Sequence, residues 1–132
     1  MATLTPSLTL TSTDASSDVL SFTVTDTLTI AAPSVGLSII NATATGANHI
    51  IVPAGTAVSY LYVRHTGTTD GSTATAQLVD LEITDDNSAF ARLGAGEFLF
   101  MPFNHAGASV GVQLQVAHAS EVQMEYAFFT KG

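Results

Sequence analysis

Apolar and polar residues alternate with a period of two along almost the whole chain. From Leu4 to Leu10, the apolar Leu4, Leu8 and Leu10 hold even positions, and Thr3, Thr5, Thr9 and Thr11 hold odd ones. The same parity returns in Leu20, Phe22, Val24, Leu28 and Ile30, interleaved with Thr23, Thr25, Thr27 and Thr29. Alternation of this kind marks strands with one wet face, and β-branched threonine suits that face. Asp26 interrupts the even side, which predicts a bulge or bend there. Ser12 to Asp18 has the composition of a loop.

Further strands are predicted around Val35–Ile39, Ile50–Val52, Val58–Arg64, Gln77–Thr84, Ala89–Leu93, Glu97–Phe103, Val110–Val116 and Val122–Phe129. Val58–Arg64 carries bulky groups on both faces, the mark of a central strand. Thr66 to Thr75, rich in Thr and Gly, reads as a mobile loop, and Asp85 to Ser88 as a turn. About nine or ten short strands at such spacing, with no sustained helical period, predict an all-β fold. The expected architecture is an antiparallel two-sheet sandwich, jelly-roll-like, with an extended Thr-rich N-terminal arm. Residues 1–19 form that strand, arm and loop, and 20–132 a single β-sandwich domain.

Charge narrows the function classes. Three basic residues (Arg64, Arg92, Lys131) stand against eleven acidic ones, a net charge of −8. Nucleic-acid binding relies on clustered Lys and Arg, and anionic membranes attract the same residues, so neither partner is expected. No apolar run is long enough to span a bilayer, and the first residues show no secretory leader. The chain has no cysteine, which excludes disulfides and thiolate chemistry and fits synthesis in a reducing cytoplasm. With 19 Thr and 12 Ser, hydroxyls rather than ions supply most of the polar surface.

Candidate chemistry is thin. Gly107-Ala-Ser109-Val-Gly111 matches the G-x-S-x-G nucleophile elbow, but a loop precedes it and an alternating strand follows, so a Gly/Ser-rich strand start is expected instead. His49, His65, His105 and His118 lie too far apart in sequence to form a local ligand pair. Three of them adjoin strand ends, where a pH-sensitive interface contact could form. Asp80, Glu82, Asp85 and Asp86 lack the spacing of a calcium loop and read as solvated carboxylates. Gly94-Ala-Gly96 reads as a turn, and Asn41-Ala-Thr43 is a formal glycosylation acceptor. No catalytic residue, cofactor or metal site is expected.

The late strands are apolar on both sides. Taking Phe98 and Phe100 as core-facing puts Leu99, Met101 and Phe103 on the opposite side, and Phe129 lies opposite Phe128 and Tyr126. A lone sandwich strand keeps one wet face, so double-sided strands imply coverage by loops or a partner subunit. The candidate subunit interface comprises Leu4, Leu8, Leu10, Leu99, Met101, Phe103 and Phe129.

Several segments carry a family resemblance. Arg92-Leu-Gly-Ala-Gly-Glu-Phe-Leu-Phe-Met-Pro-Phe103, the closing Glu121–Thr130 strand, Tyr60-Leu-Tyr-Val-Arg-His-Thr66 and the Thr-rich opening resemble small virion structural proteins of tailed bacteriophages. The resemblance implies a β-sandwich subunit assembled in copies onto a particle, with no catalytic residues. Acidity favours the outside of a head, away from packaged DNA. The expected function is therefore a non-enzymatic capsid decoration (cement) protein, made in the host cytoplasm and located in the virion. Its partners would be the major capsid protein or other virion subunits, and it would act as a homo-oligomer, a trimer or a multi-copy shell component. The alternatives are a tail, neck or fibre-associated subunit, and a carbohydrate-binding β-sandwich using Tyr60, Tyr62 or Tyr126.

Overall fold

A computed structural model describes residues 2–43, 48–55, 58–105, 110–117 and 120–131. Among them the fold is all-β, with no helix and eleven strands. These are β1 (Ala2–Leu4), β2 (Ser7–Ser12), β3 (Leu20–Thr25), β4 (Leu28–Ala42), β5 (His49–Val52) and β6 (Val58–His65). They continue as β7 (Val79–Ile83), β8 (Ala89–Leu93), β9 (Phe98–His105), β10 (Val112–Val116) and β11 (Val122–Lys131). The two alternating segments at Leu28–Ile30 and Val35–Ile39 are one long strand, β4.

Every strand pairing is antiparallel. A five-stranded sheet runs β1-β4-β11-β6-β9, a four-stranded sheet runs β5-β10-β7-β8, and β2-β3 form a two-stranded sheet of their own. As its bulky residues predict, β6 is an interior strand, flanked by β11 and β9. One buried cluster draws on both larger sheets. Leu61, Val63, Val122, Met124 and Phe128 come from the five-stranded sheet; Val79, Leu81, Val112, Leu114 and Val116 come from the four-stranded one. Each such side chain contributes roughly 1.5–3 kcal/mol by leaving water.

The Thr/Gly segment after β6 is hydrogen-bonded throughout, not the mobile loop its composition suggests. Thr68 and Ala74 form a bridge, the Thr69 N–H donates to the Thr73 carbonyl, and the Thr75 N–H donates to Gly67. The segment is tied to β11 by the Thr66 N–H on the Gln123 carbonyl and the Gln123 N–H on the Thr68 carbonyl. Asp70 organises its tip, accepting from the backbone N–H groups of Thr73 and Ser72. Those donors, Thr73 first, hold the Asp70 carboxyl down at about 2, against an ordinary 3.8.

Asp80 and Asp86 are shifted the same way, by the Arg92 guanidinium and by the Ser88 backbone N–H respectively. Carboxyls lowered on folding add stability that is present in full above the ordinary carboxylate range and is lost as pH falls through it. An Asp70→Ala chain is therefore expected to unfold at lower urea than the native chain at pH 7. That gap closes as pH falls from 3.8 toward about 2, which urea titrations across that range would read.

Candidate functional site

The N-terminal strands build a ribbon that continues the sheet edge. The β1/β4 pairing runs from Ala2↔Ile30 to Leu4↔Leu28, and β2/β3 carries it on, without a slip, from Ser7↔Thr25 to Ser12↔Leu20. At the junction the Asp26 N–H donates to the Pro6 carbonyl at 3.1 Å, so Asp26 marks a bend with the register kept. Pro6 has no N–H of its own to extend the ladder. The distal ribbon is six residues long on each side, roughly 20 Å at strand rise.

Its two faces differ as the alternation predicts. One carries a hydroxyl ladder, with Ser7 Oγ to Thr25 Oγ1 and Thr9 Oγ1 to Thr23 Oγ1 both at 2.9 Å. The other pairs Leu8 with Val24 and Leu10 with Phe22. These four side chains remain 46%, 58%, 42% and 41% exposed. An isolated two-stranded ribbon is marginal in water, so an uncovered apolar face of this kind calls for a cover.

Beside the ribbon lies the outer face of the five-stranded sheet. Leu37 of β4, Tyr62 of β6, Phe98 and Phe100 of β9, and Ala127 and Phe129 of β11 line a groove whose other wall is Leu4, Pro6, Leu8 and Val24. The groove holds about 940 Å³. Tyr60 stacks on Phe100 with ring centroids 6.1 Å apart and planes 4° from parallel. Beyond Tyr62 the Arg64 guanidinium meets Glu125 at 3.5 Å. Partial burial, together with the nearby Glu125 carboxylate, raises the Tyr62 phenol above its usual value, and Arg64 partly offsets this. The region is nearly free of charge: residues 1–63 contain no Lys or Arg, and acids only at Asp14, Asp18 and Asp26.

The candidate interface residues divide between two environments. Leu4, Leu8 and Phe129 line the groove, and Leu10 follows Leu8 on the exposed ribbon face. Leu99 and Phe103 pack against the buried cluster, and Met101, half-buried, shares their parity. The facing of β9 is thus the reverse of the one that starts from Phe98 and Phe100 in the core. Phe98 is 60% exposed, and Phe98 and Phe100 line the groove. With apolar residues on both sides, alternation alone carries no sign to choose the inner face. For the same reason Tyr62 and Leu37 escaped notice as groove residues.

Other motifs resolve individually. His65 is fully buried at the end of β6 and bonded within the chain, so it is not an interface contact. His49 Nε2 accepts the Thr43 N–H at 2.9 Å. The His105 side chain and all of His118 lie outside the described residues, as do Gly107, Ala108 and Ser109 of the elbow pattern. Asp80 pairs with Arg92 through two hydrogen bonds. Glu82 is not solvated: it is 4% exposed and accepts the Gln113 side-chain amide at 3.0 Å. The same Gln113 nitrogen donates to Asn87 Oδ1 at 2.8 Å, tying the turn after β7 to β10.

Gly94–Gly96 is a turn between β8 and β9, with Gly96 at φ 81° and the Glu97 carboxylate accepting the Gly94 N–H at 2.7 Å. Tyr60 and Tyr62 lie on the outer face, whereas Tyr126 packs against the buried cluster, so the three do not converge. Among the described residues no three His, Cys, Asp or Glu side chains are grouped to hold a metal ion, and no helix is long and apolar enough to cross a membrane. A scan against protein-family models, a search of curated proteins and a search of solved structures each return no match to this chain.

Proposed function

We propose that the chain is a non-enzymatic structural subunit of a virus particle: a capsid decoration protein that binds the outer face of the assembled head. The observation that carries this reading is the uncharged apolar groove and ribbon on an otherwise acidic body. Such a surface is suited to packing against protein, where desolvating ions would be costly. We read the two larger sheets as the layers of a sandwich and the last eight strands as a jelly roll. The orders β4-β11-β6-β9 and β5-β10-β7-β8 support this, since two interlocked Greek keys produce that arrangement. Viral capsid domains are one recurrent use of the architecture. The β2-β3 ribbon is the Thr-rich arm of this reading.

The mechanism is thermodynamic. A subunit that binds the assembled shell, and not its dissociated components, stabilises the shell by mass action. Acidity favours the exterior, because packaged nucleic acid repels a chain with net charge −8. The major capsid protein is the partner this reading names, and the virion is its location. The test is electron microscopy of particles made in the presence of a gold-tagged chain. Label over the head surface is expected. Label at the tail or neck would overturn the head location, and particles without label would overturn the virion reading itself.

A further inference from the structure

We propose that the β2-β3 ribbon of one copy seats in the groove of a second copy, so that copies join head to tail and close into a ring. This assembly rests on the structural-subunit reading for its purpose, but the contact itself is argued from surfaces both present on one chain. The ribbon offers an apolar stripe, and the groove offers an apolar wall of Leu37, Tyr62, Phe100 and Phe129. In its own chain the ribbon contributes only its proximal pair, Leu8 and Val24, to that wall. The distal pair, Leu10 and Phe22, stays 42% and 41% exposed and is available to another molecule.

Electrostatics selects the same surfaces. Two copies each of net charge −8 repel, and the approach with least repulsion and least ion desolvation is through the uncharged N-terminal half. β2, β3 and β4 contain no ionisable acid or base. The acids nearest the contact are Asp14 and Asp18 in the ribbon's connecting loop and Asp26 at its root.

The area is sufficient. The exposed parts of Leu8, Leu10, Phe22 and Val24 come to roughly 300 Å² of apolar surface, and the groove wall matches them, so one contact hides roughly 600 Å² of apolar area. At the usual apolar share of about 56%, that corresponds to about 1,100 Å² in all, above the about 1,000 Å² a specific interface needs. Ribbon and groove are different surfaces, so the contact is heterologous; a closed ring gives every copy two such contacts and leaves no ribbon bare.

The full chain has no cysteine, so single thiols can be placed at will. Leu10→Cys copies mixed with Leu37→Cys copies and treated with a short bismaleimide are expected to give covalent dimers. Light scattering of the unsubstituted chain is expected to show a closed oligomer at micromolar concentration. Phe22→Ser is expected to weaken that self-association by about tenfold or more, with the circular dichroism and urea midpoint of the body unchanged.

Monomers without cross-links would overturn the proposal. So would a thiol pair that links only within a doubly substituted chain, because the ribbon would then fold onto its own groove. A small apolar molecule co-purifying in the groove of a monomer would also overturn it. Labelled particles together with a monomeric free chain would sink the ring while leaving the decoration reading intact; a ring that no particle carries would do the reverse.

Discussion

Gly111→Ala is expected to lower stability by roughly 1–3 kcal/mol, and Gly111→Val by more. Gly111 is buried at the start of β10, where β5 passes close by. A Cβ there would overlap the Val52 carbonyl oxygen and lie 3.0 Å from the Ala54 nitrogen, and both obstacles are backbone. Nor can the glycine withdraw. Its N–H donates to Thr84 Oγ1 at 2.7 Å, and its carbonyl accepts the Thr84 N–H at 3.1 Å. Relief must come from β5, which would loosen the Val112↔Val52 pairing and pull Ile51 and Val52 from the core.

Urea titration should show a lower midpoint with the slope unchanged. Gly36→Ala is the control: nothing lies within 4 Å of its Cβ position, and no shift is expected. The closing glycine of the G-x-S-x-G pattern thus answers to strand packing.

His65→Leu is expected to cost roughly 2–4 kcal/mol, because it removes both partners of two backbone groups. The ring is fully buried; its Nδ1 accepts the Gly67 N–H at 2.9 Å, so the proton sits on Nε2, which donates to the Gln77 carbonyl at 2.8 Å. The two bonds clamp both ends of the Thr/Gly segment. Leucine fills the space and satisfies neither group. Against a total stability of about 5–15 kcal/mol, either substitution is a large fraction. The diagnostic reading is hydrogen exchange: the Gly67 amide should lose its protection in His65→Leu well before the amides of β11 do.

Much of this was legible residue by residue. The Leu/Thr alternation of 4–11 and 20–25 announced two strands with opposed faces, and the ribbon carries leucines on one side and paired hydroxyls on the other. Tyr60-Leu-Tyr-Val63, bulky on both faces, announced an interior strand, and β6 is one. Where both faces of a strand are apolar, as in Phe98–Phe103, the pattern is unchanged by turning the strand over, and the groove was hidden there. Glu82 read as solvated because its neighbours alternate, yet Gln113, far along the chain, covers it.

Strand identity and spacing are local properties, written in side-chain periodicity and turn chemistry, and the chain declares them unaided. Which face of β9 turns inward, which carboxylate is covered, and that the ribbon root and the outer sheet face meet around one groove depend on pairings between residues distant in sequence. Those pairings are settled only when β6 and β11 pair side by side and the larger sheets share one core, because only then does the chain bury one apolar side and leave the other in water.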